Sequence, residues 1–232
     1  MPGVETARFG VWQPDQVQTF LKVTRDTREH ALYCVLLATG MRSGEVRGLR
    51  WQDVDLEQGL VRVEQQYVET AKSANNHFGP PKRDSRRTIR IGPDLVSILR
   101  AHRQRQQEER DTAEDFWQAH DLVFSTTLGT PISASNLARV FKTHVEVAKL
   151  PLIRVHDLRD TAASNMLASG TELPLVAEIL GHKDASVTLR KYTHVLEGQR
   201  EARRVGLGIY SGGTGNKDEA PSRGVEAEST GD

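Results

Sequence analysis

Six side chains in this sequence are of types that hold anions or carry protons: Arg42, Lys82, His156, Arg159, His182 and Tyr192. Arg42 lies between Gly40 and Gly44, at what reads as the junction of two helices. A guanidinium leaving a helix N-terminus, where backbone N–H groups also point outward, favours an anion. An ordinary surface arginine has the same local sequence. His156 and Arg159 stand at i and i+3 in His156-Asp157-Leu158-Arg159, which sets an imidazole and a guanidinium on one helix face. A solvated polar face reads the same way. His182 follows Leu180-Gly181 at a helix stop, and Tyr192 comes ten residues later in Arg190-Lys191-Tyr192-Thr193-His194. Singly, such a histidine is often a cap, and such a tyrosine a packing residue. A metal reading of His156 and His182 lacks a third ligand at a familiar spacing.

The elements that must carry these residues are mostly helical. Pro14 suits a first helical turn, and Val17, Phe20 and Leu21 follow at helical spacing. Asp26 with Glu29 resembles a capping box ahead of Leu32, Val35 and Leu36, and Gly40 is a helix stop. Ser43 is placed to cap a short helix carrying Glu45, Val46 and Leu49; Trp51 to Leu56 reads as an Asp-rich turn. The period then changes to two over Leu60 to Tyr67 and again over Arg86 to Ile91, with turn material at 71–81 between. This predicts a small antiparallel sheet with Lys82 near its turn. Helices return from Asp94, over 134–148, from His156 to Leu167, after Thr171 as a cap with Leu175, Val176 and Ile179 inward, over 184–191 and over 194–205. The fold class is therefore mainly α with a small antiparallel β-sheet, α+β.

Composition narrows the function classes. The 232 residues, 37% hydrophobic and 27% charged, suit one large globular domain. No apolar run approaches the roughly 18 residues of a membrane span, and Met1 to Glu5 do not begin a secretory signal. Cys34 is the single cysteine, which excludes an internal disulfide and a thiolate zinc cluster, so the expected compartment is cytoplasmic. No dinucleotide-type glycine loop, phosphate-cradling G-x-x-x-x-G-K-[ST] or H-E-x-x-H is present. Lys and Arg number 31, as do Asp and Glu, but the charges are unevenly spread. Lys82, Arg83, Arg86, Arg87 and Arg90 face only Asp84, and Arg100, Arg103 and Arg105 form a second basic stretch. Residues 206–232 are expected to be a disordered tail; its last 22 residues hold five Gly and excess acid.

Taken together, the segments carry more than each does alone. Thr39 to Asp55 reads G-x-R-x-G-E-x-x-x-L-x-W-x-D; His156 to Ala163 opens H-x-L-R; Leu180 to Val195 opens L-G-H and holds Tyr192. In that order and spacing, over about residues 12–200, the chain resembles the catalytic domain of the tyrosine recombinases, the phage-integrase family. The resemblance implies the DNA breaking-rejoining fold and an enzyme that needs neither metal nor cofactor. It would act on double-stranded DNA in site-specific recombination through a covalent 3′-phosphotyrosyl intermediate. Tyr192 would be the nucleophile. Arg42 and Arg159 would hold the non-bridging oxygens, with His156 and His182 supporting the phosphate. Lys82, in Pro81-Lys82-Arg83-Asp84, would protonate the leaving 5′ oxygen, with Lys72 as the fallback. Glu45 would buttress the site from behind.

That chemistry accounts for the residue types. Charge gathers on the non-bridging oxygens of a five-coordinate transition state, and guanidiniums offer them planar forks of donors that stay charged. A phenol has a pKa of about 10, so nearby cations and an imidazole must help it lose its proton.

The resemblance also sets expectations of organisation. Residues 1–13 would be a lead, 14–205 the catalytic domain, and the helical DNA-clamping, core-binding domain that precedes it in family members would be absent. An excised piece, a truncated reading frame or a short family member would each read so. A homotetramer on DNA would form through helix 194–205, with accessory DNA-bending or directionality proteins as possible partners and no membrane; a helix folded back on its own body is the other reading of 194–205. Members often have His where this chain has Asp160, and a carboxylate beside Arg159 invites a cation pair that weakens the phosphate grip. Other readings are a relaxing activity of the type IB topoisomerase kind, a non-catalytic DNA-binding protein using 171–180 and 184–191 as a helix-turn-helix, and an inactive integrase remnant.

Overall fold

A computed structural model describes residues 10–70, 75–82, 85–182, 184 and 186–193. Its core is built on a helix that is apolar all round. In α2 (His30–Thr39) Ala31, Leu32, Tyr33, Cys34, Val35, Leu36 and Thr39 are all buried. A helix without a polar face must be enclosed by others. Here α1 (Pro14–Val23), α3 (Ser43–Arg47), α4 (Pro93–Ala113) and α6 (Asp157–Ala168) pack around it, and α5 (Ala134–Val147) packs on α1. An aromatic cluster joins the layers. Phe20 lies 4.9 Å from Trp12, 5.0 Å from Tyr33 and 5.5 Å from Phe141, in tilted and edge-on arrangements that aromatic rings prefer. Trp12, within the expected lead, is thus a core residue; its backbone N–H donates to Thr161 Oγ1 and its indole to the Pro151 carbonyl.

The sheet differs from the expected one. Among the described residues there are two: an antiparallel sheet in the order β1-β2-β5, from β1 (Val54–Asp55), β2 (Leu60–Val63) and β5 (Arg87–Arg90), and a separate pair of β3 (Gln66–Val68) with β4 (His77–Gly79). The single strand read over Leu60 to Tyr67 breaks after Val63. Val61 and Val63 face the core, but the next buried position is Gln66, three residues on, so the alternation slips and the chain leaves the sheet. The glutamines fix the new course: Gln65 Nε2 donates to the Gly48 carbonyl and Gln66 Nε2 to that of Pro80. The β3 backbone then lies against α3 so closely that a Cβ on Gly48 would sit 2.7 Å from the Tyr67 nitrogen. The expected turns at 51–56 and 71–81 supply β1 and β4.

Several helix boundaries also move. The Asp26–Glu29 box does not form, since α2 starts at His30 with no side-chain cap. The cap of α3 is Arg42, not Ser43, and that of α7 (Leu173–Leu180) is Glu172, not Thr171. Leu175 points outward, while Val176, Ala177 and Leu180 are buried. The polar residues from Arg100 continue α4 to Ala113, because Arg, Gln and Glu are good helix formers even without an apolar face. The last described helical turns cover 186–193 rather than 184–191. The expected helix 194–205, the tail and Lys72 lie outside the described residues. Among the described residues no helix is long and apolar enough to cross a membrane.

Candidate active site

Two helix ends meet the start of a third. α2 stops at Gly40, whose left-handed φ of 60° closes the helix, and α7 stops at Gly181, with φ of 70°. Such ends leave carbonyl oxygens without helical partners and carry a partial negative charge. Arg159, from the first turn of α6, answers both: Nη1 donates to the Gly40 carbonyl at 2.6 Å and Nη2 to the Leu180 carbonyl at 2.8 Å. Nη2 also lies 3.0 Å from His182 Nε2. The side chain is almost wholly buried, and that desolvation, with the charge of Arg42 next, lowers its pKa to about 10. Its Nε–H has no protein partner among the described residues.

His182 is held from both sides of its ring. Nδ1 is 2.6 Å from the hydroxyl of buried Thr188, and Nε2 faces a guanidinium that can only donate. The bonds assign the proton to Nδ1 and a lone pair to Nε2. Burial first, then Arg159, Arg42, Lys191 and Arg87, lower its pKa to about 4, so the ring is neutral at physiological pH.

Arg42 reaches the same place from the start of α3. Its backbone N–H and its Nη1 both donate to the Glu45 carboxylate, at 2.9 and 2.7 Å, and Nη1 also donates to Ser85 Oγ at 3.0 Å. Glu45 is fully buried. Burial alone would push its pKa up, but Arg87, then Arg42, outweigh this and hold it ionised. Glu45 thus lies behind both guanidiniums, accepting from Arg42 and Arg87. The residue that sequence reasoning missed is Arg87. Its Nη2 donates to Glu45 at 2.8 Å and its Nε to the Ile179 carbonyl at 2.6 Å, tying β5 to α3 and α7. The signal was present: Arg87, Ile89 and Ile91 share one face of an alternating strand, so the arginine had to point inward.

The remaining residues stand at the rim. His156 is the N-cap of α6 and is exposed; partial desolvation lowers its pKa, against the opposing pull of Asp160. Lys82 is exposed on the loop between β4 and β5 and bonds to none of the other five among the described residues, although Ser85 on the same loop touches Arg42. Tyr192 is buried in a small cluster with Ala163, Leu167, Val176 and Leu180. Its hydroxyl donates to Asp160 Oδ1 at 2.8 Å, and Lys191 Nζ donates to the same oxygen at 2.6 Å. Burial, then Asp160, pushes the phenol pKa up, with Arg159 opposing. The carboxylate at position 160 pairs with Lys191 and not with Arg159. Among the described residues no group of His, Cys, Asp and Glu is placed to hold a metal ion.

This cluster of cations is drawn from distant segments, with a phenol beside it, and comparison with known proteins places the chain that carries it. The sequence profile of the Phage integrase family matches residues 11–199. This chain belongs to the phage integrase family. A curated relative of this family from Caldanaerobacter subterraneus, named a tyrosine recombinase XerC-like protein, is 32% identical over 198 residues, covering 80% of this chain and 50% of that protein. An integrase of Streptomyces ambofaciens is 31% identical over 183 residues, covering 76% and 47%. The chain thus spans about half the length of these relatives. Among solved structures, the Tn1549 transposon integrase in complex with a circular intermediate DNA superposes with a TM-score of 0.68 at 21% identity, over 85% of this chain and 67% of that one. The catalytic domain of bacteriophage HP1 integrase does so at 0.53 and 18%, over 91% and 99%. The mainly helical fold with small antiparallel sheets is that of a tyrosine recombinase catalytic domain.

Proposed function

We propose that this chain, over residues 14–205, cleaves and rejoins double-stranded DNA in integrase-type site-specific recombination, through a 3′-phosphotyrosine formed on Tyr192 and without a metal ion. The observation that carries the reading is the gathering of Arg42, Arg159 and neutral His182 where the ends of α2 and α7 meet the starts of α3 and α6, beside the helix that holds Tyr192. A phosphodiester is the anion whose chemistry fits it. Arg42 and Arg159 grip the non-bridging oxygens and stabilise the charge that grows there, each contributing about 3–4 kcal/mol to the transition state. That cationic charge does the work a metal ion would otherwise do. The Tyr192 oxygen attacks phosphorus, its proton passes to His156, and the P–O5′ bond breaks as Lys82 protonates the leaving oxygen. The phosphotyrosyl bond keeps the energy of the one broken, so a 5′ hydroxyl attacking it later rejoins strands with no nucleotide cofactor. Assembly as a homotetramer through 194–205, with accessory DNA-bending or directionality proteins, belongs to the same reading.

A nicked suicide substrate tests it. Cleavage releases a short strand that diffuses away, and a denaturation-resistant protein–DNA adduct accumulates. The adduct is expected in chelator as well as without it, and is lost in Tyr192→Phe. A band shift with no adduct would identify a non-catalytic DNA binder; neither signal would identify a remnant. Dependence on a divalent ion would point to a metal nuclease.

A further inference from the structure

Asp160 stands four residues after His156, one turn along the same face of α6. It is the acceptor that the Tyr192 hydroxyl has found. We propose, resting on the function above, that Asp160 is a positioning residue that parks Tyr192 in a resting state, and that release of this contact precedes attack on DNA. Three observations support parking over proton abstraction. First, the hydroxyl is the donor to a carboxylate at 2.8 Å and makes no hydrogen bond to Arg42, His156, Arg159 or His182 among the described residues. Second, a carboxylate that took the phenol proton would do so uphill by about 6 pH units, the gap between their ordinary acidities. As an anion beside the phenol it favours the protonated form instead. Third, the scissile phosphate is itself an anion, so a second negative charge beside the attacking oxygen opposes the approach that the arginines favour.

Lys191 completes the device. Its ammonium donates to the same Asp160 oxygen at 2.6 Å, so one carboxylate ties two successive residues of the terminal helical segment to α6. Among the described residues the Tyr192 hydroxyl has no other hydrogen bond; its ring sits in an apolar cluster with Ala163, Leu167, Val176 and Leu180, which permits sliding, and the Lys191 ammonium lies 5.8 Å from the ring centroid. Movement toward His156 breaks one hydrogen bond and one half-exposed ion pair, and both partners can then reach phosphate oxygens.

Two variants of opposite sign test this in the whole chain. With tyrosines labelled at Cζ, and the Tyr192 resonance assigned by its loss in Tyr192→Phe, the DNA-free protein is observed at neutral pH. Asp160→Asn is expected to move the resonance upfield, away from a carboxylate-bonded phenol. Lys191→Gln, which leaves the carboxylate uncompensated, is expected to move it downfield. Shifts of the same sign, or none, overturn the parking contact. On the suicide substrate, Asp160→Asn is expected to form adduct about tenfold faster in single turnover, the equivalent of 1 pH unit of phenol acidity. A slower rate would make Asp160 a participant in the chemistry and overturn the proposal. Absence of adduct in every variant would defeat the proposed function, while the resonance shifts still judge the contact.

Discussion

The carboxylate of Glu45 meets the guanidinium of Arg87 at 2.8 Å, a contact between residues 42 apart in the chain, while its other oxygen takes Arg42 at 2.7 Å. One buried anion therefore sets the distance between two cations that would otherwise repel. Removing it strands Arg87, whose side chain is 5% exposed. Breaking a buried pair from one side costs about 3–5 kcal/mol. Glu45→Gln is expected to lose stability of about that size in urea unfolding, and to bind DNA with a misplaced Arg42. Glu45→Gln combined with Arg87→Met should recover part of the loss, because the uncompensated charge goes too. A fully additive double variant would show that the two side chains do not act as a unit.

Arg159→Lys keeps a positive charge and loses the fork. An ammonium is a compact charge that cannot bridge the Gly40 and Leu180 carbonyls as the two Nη atoms do. One charged hydrogen bond is lost, for about 1.5–3 kcal/mol of stability. In the proposed mechanism the phosphate grip suffers more, and the rate of adduct formation is expected to fall at least about 100-fold. Paired urea unfolding and single-turnover cleavage separate the two effects. Wild-type cleavage in this variant would assign the grip to another guanidinium.

The apolar architecture was legible because α5 and α6 have periodic faces and α2 is bounded by a glycine. The six candidate residues stood out only as an ordered set; singly, each had an ordinary reading. What escaped was held in polar contacts between distant segments. Nothing local in Thr188 says that its hydroxyl meets His182 Nδ1, and nothing in Asp160 says that its partners are Lys191 and Tyr192. The β3–β4 pair escaped for another reason. Each strand has three residues, too few for alternation to stand out from the loop around it.

His182 gives a pH prediction with a definite sign. Its folded pKa of about 4 lies below the 6.5 of an ordinary imidazole. As pH falls below 6.5 the unfolded chain takes up the proton first, so its contribution to stability is complete above pH 6.5 and is lost toward pH 4. The whole effect is at most about 3 kcal/mol, less for a ring in part open to solvent. Unfolding free energies across this range are expected to drop more steeply for the wild type than for His182→Gln. Parallel slopes would mean that neither burial nor the surrounding cations lower the pKa of this ring. Thr188→Val removes the Nδ1 partner, and the ring nitrogen resonances should then report loss of the Nδ1–H tautomer.

Gly40 carries the last prediction, because it does two jobs that a methyl group would set against each other. Its φ of 60° ends α2, and its carbonyl is the acceptor for Arg159 Nη1. An alanine there adopts the left-handed backbone at a cost of about 1–2 kcal/mol. Its Cβ would also lie 2.5 Å from Leu180 Cδ2, and Leu180 is fully buried, so its tip cannot swing into solvent. Overpacking of this kind adds about 1–3 kcal/mol. Leu180 must then repack within the core, and any shift of the end of α7 also moves the carbonyl that is the second acceptor for Arg159. Gly40→Ala is therefore expected to lose about 2–5 kcal/mol in urea unfolding and to lower adduct formation with it. Leu180→Ala alone opens a cavity and also destabilises, but the double variant has room for the new methyl, so its loss should fall short of the sum. A strictly additive double variant would leave backbone strain alone as the cause, and would remove the steric link between the ends of α2 and α7 on which the placement of Arg159 depends.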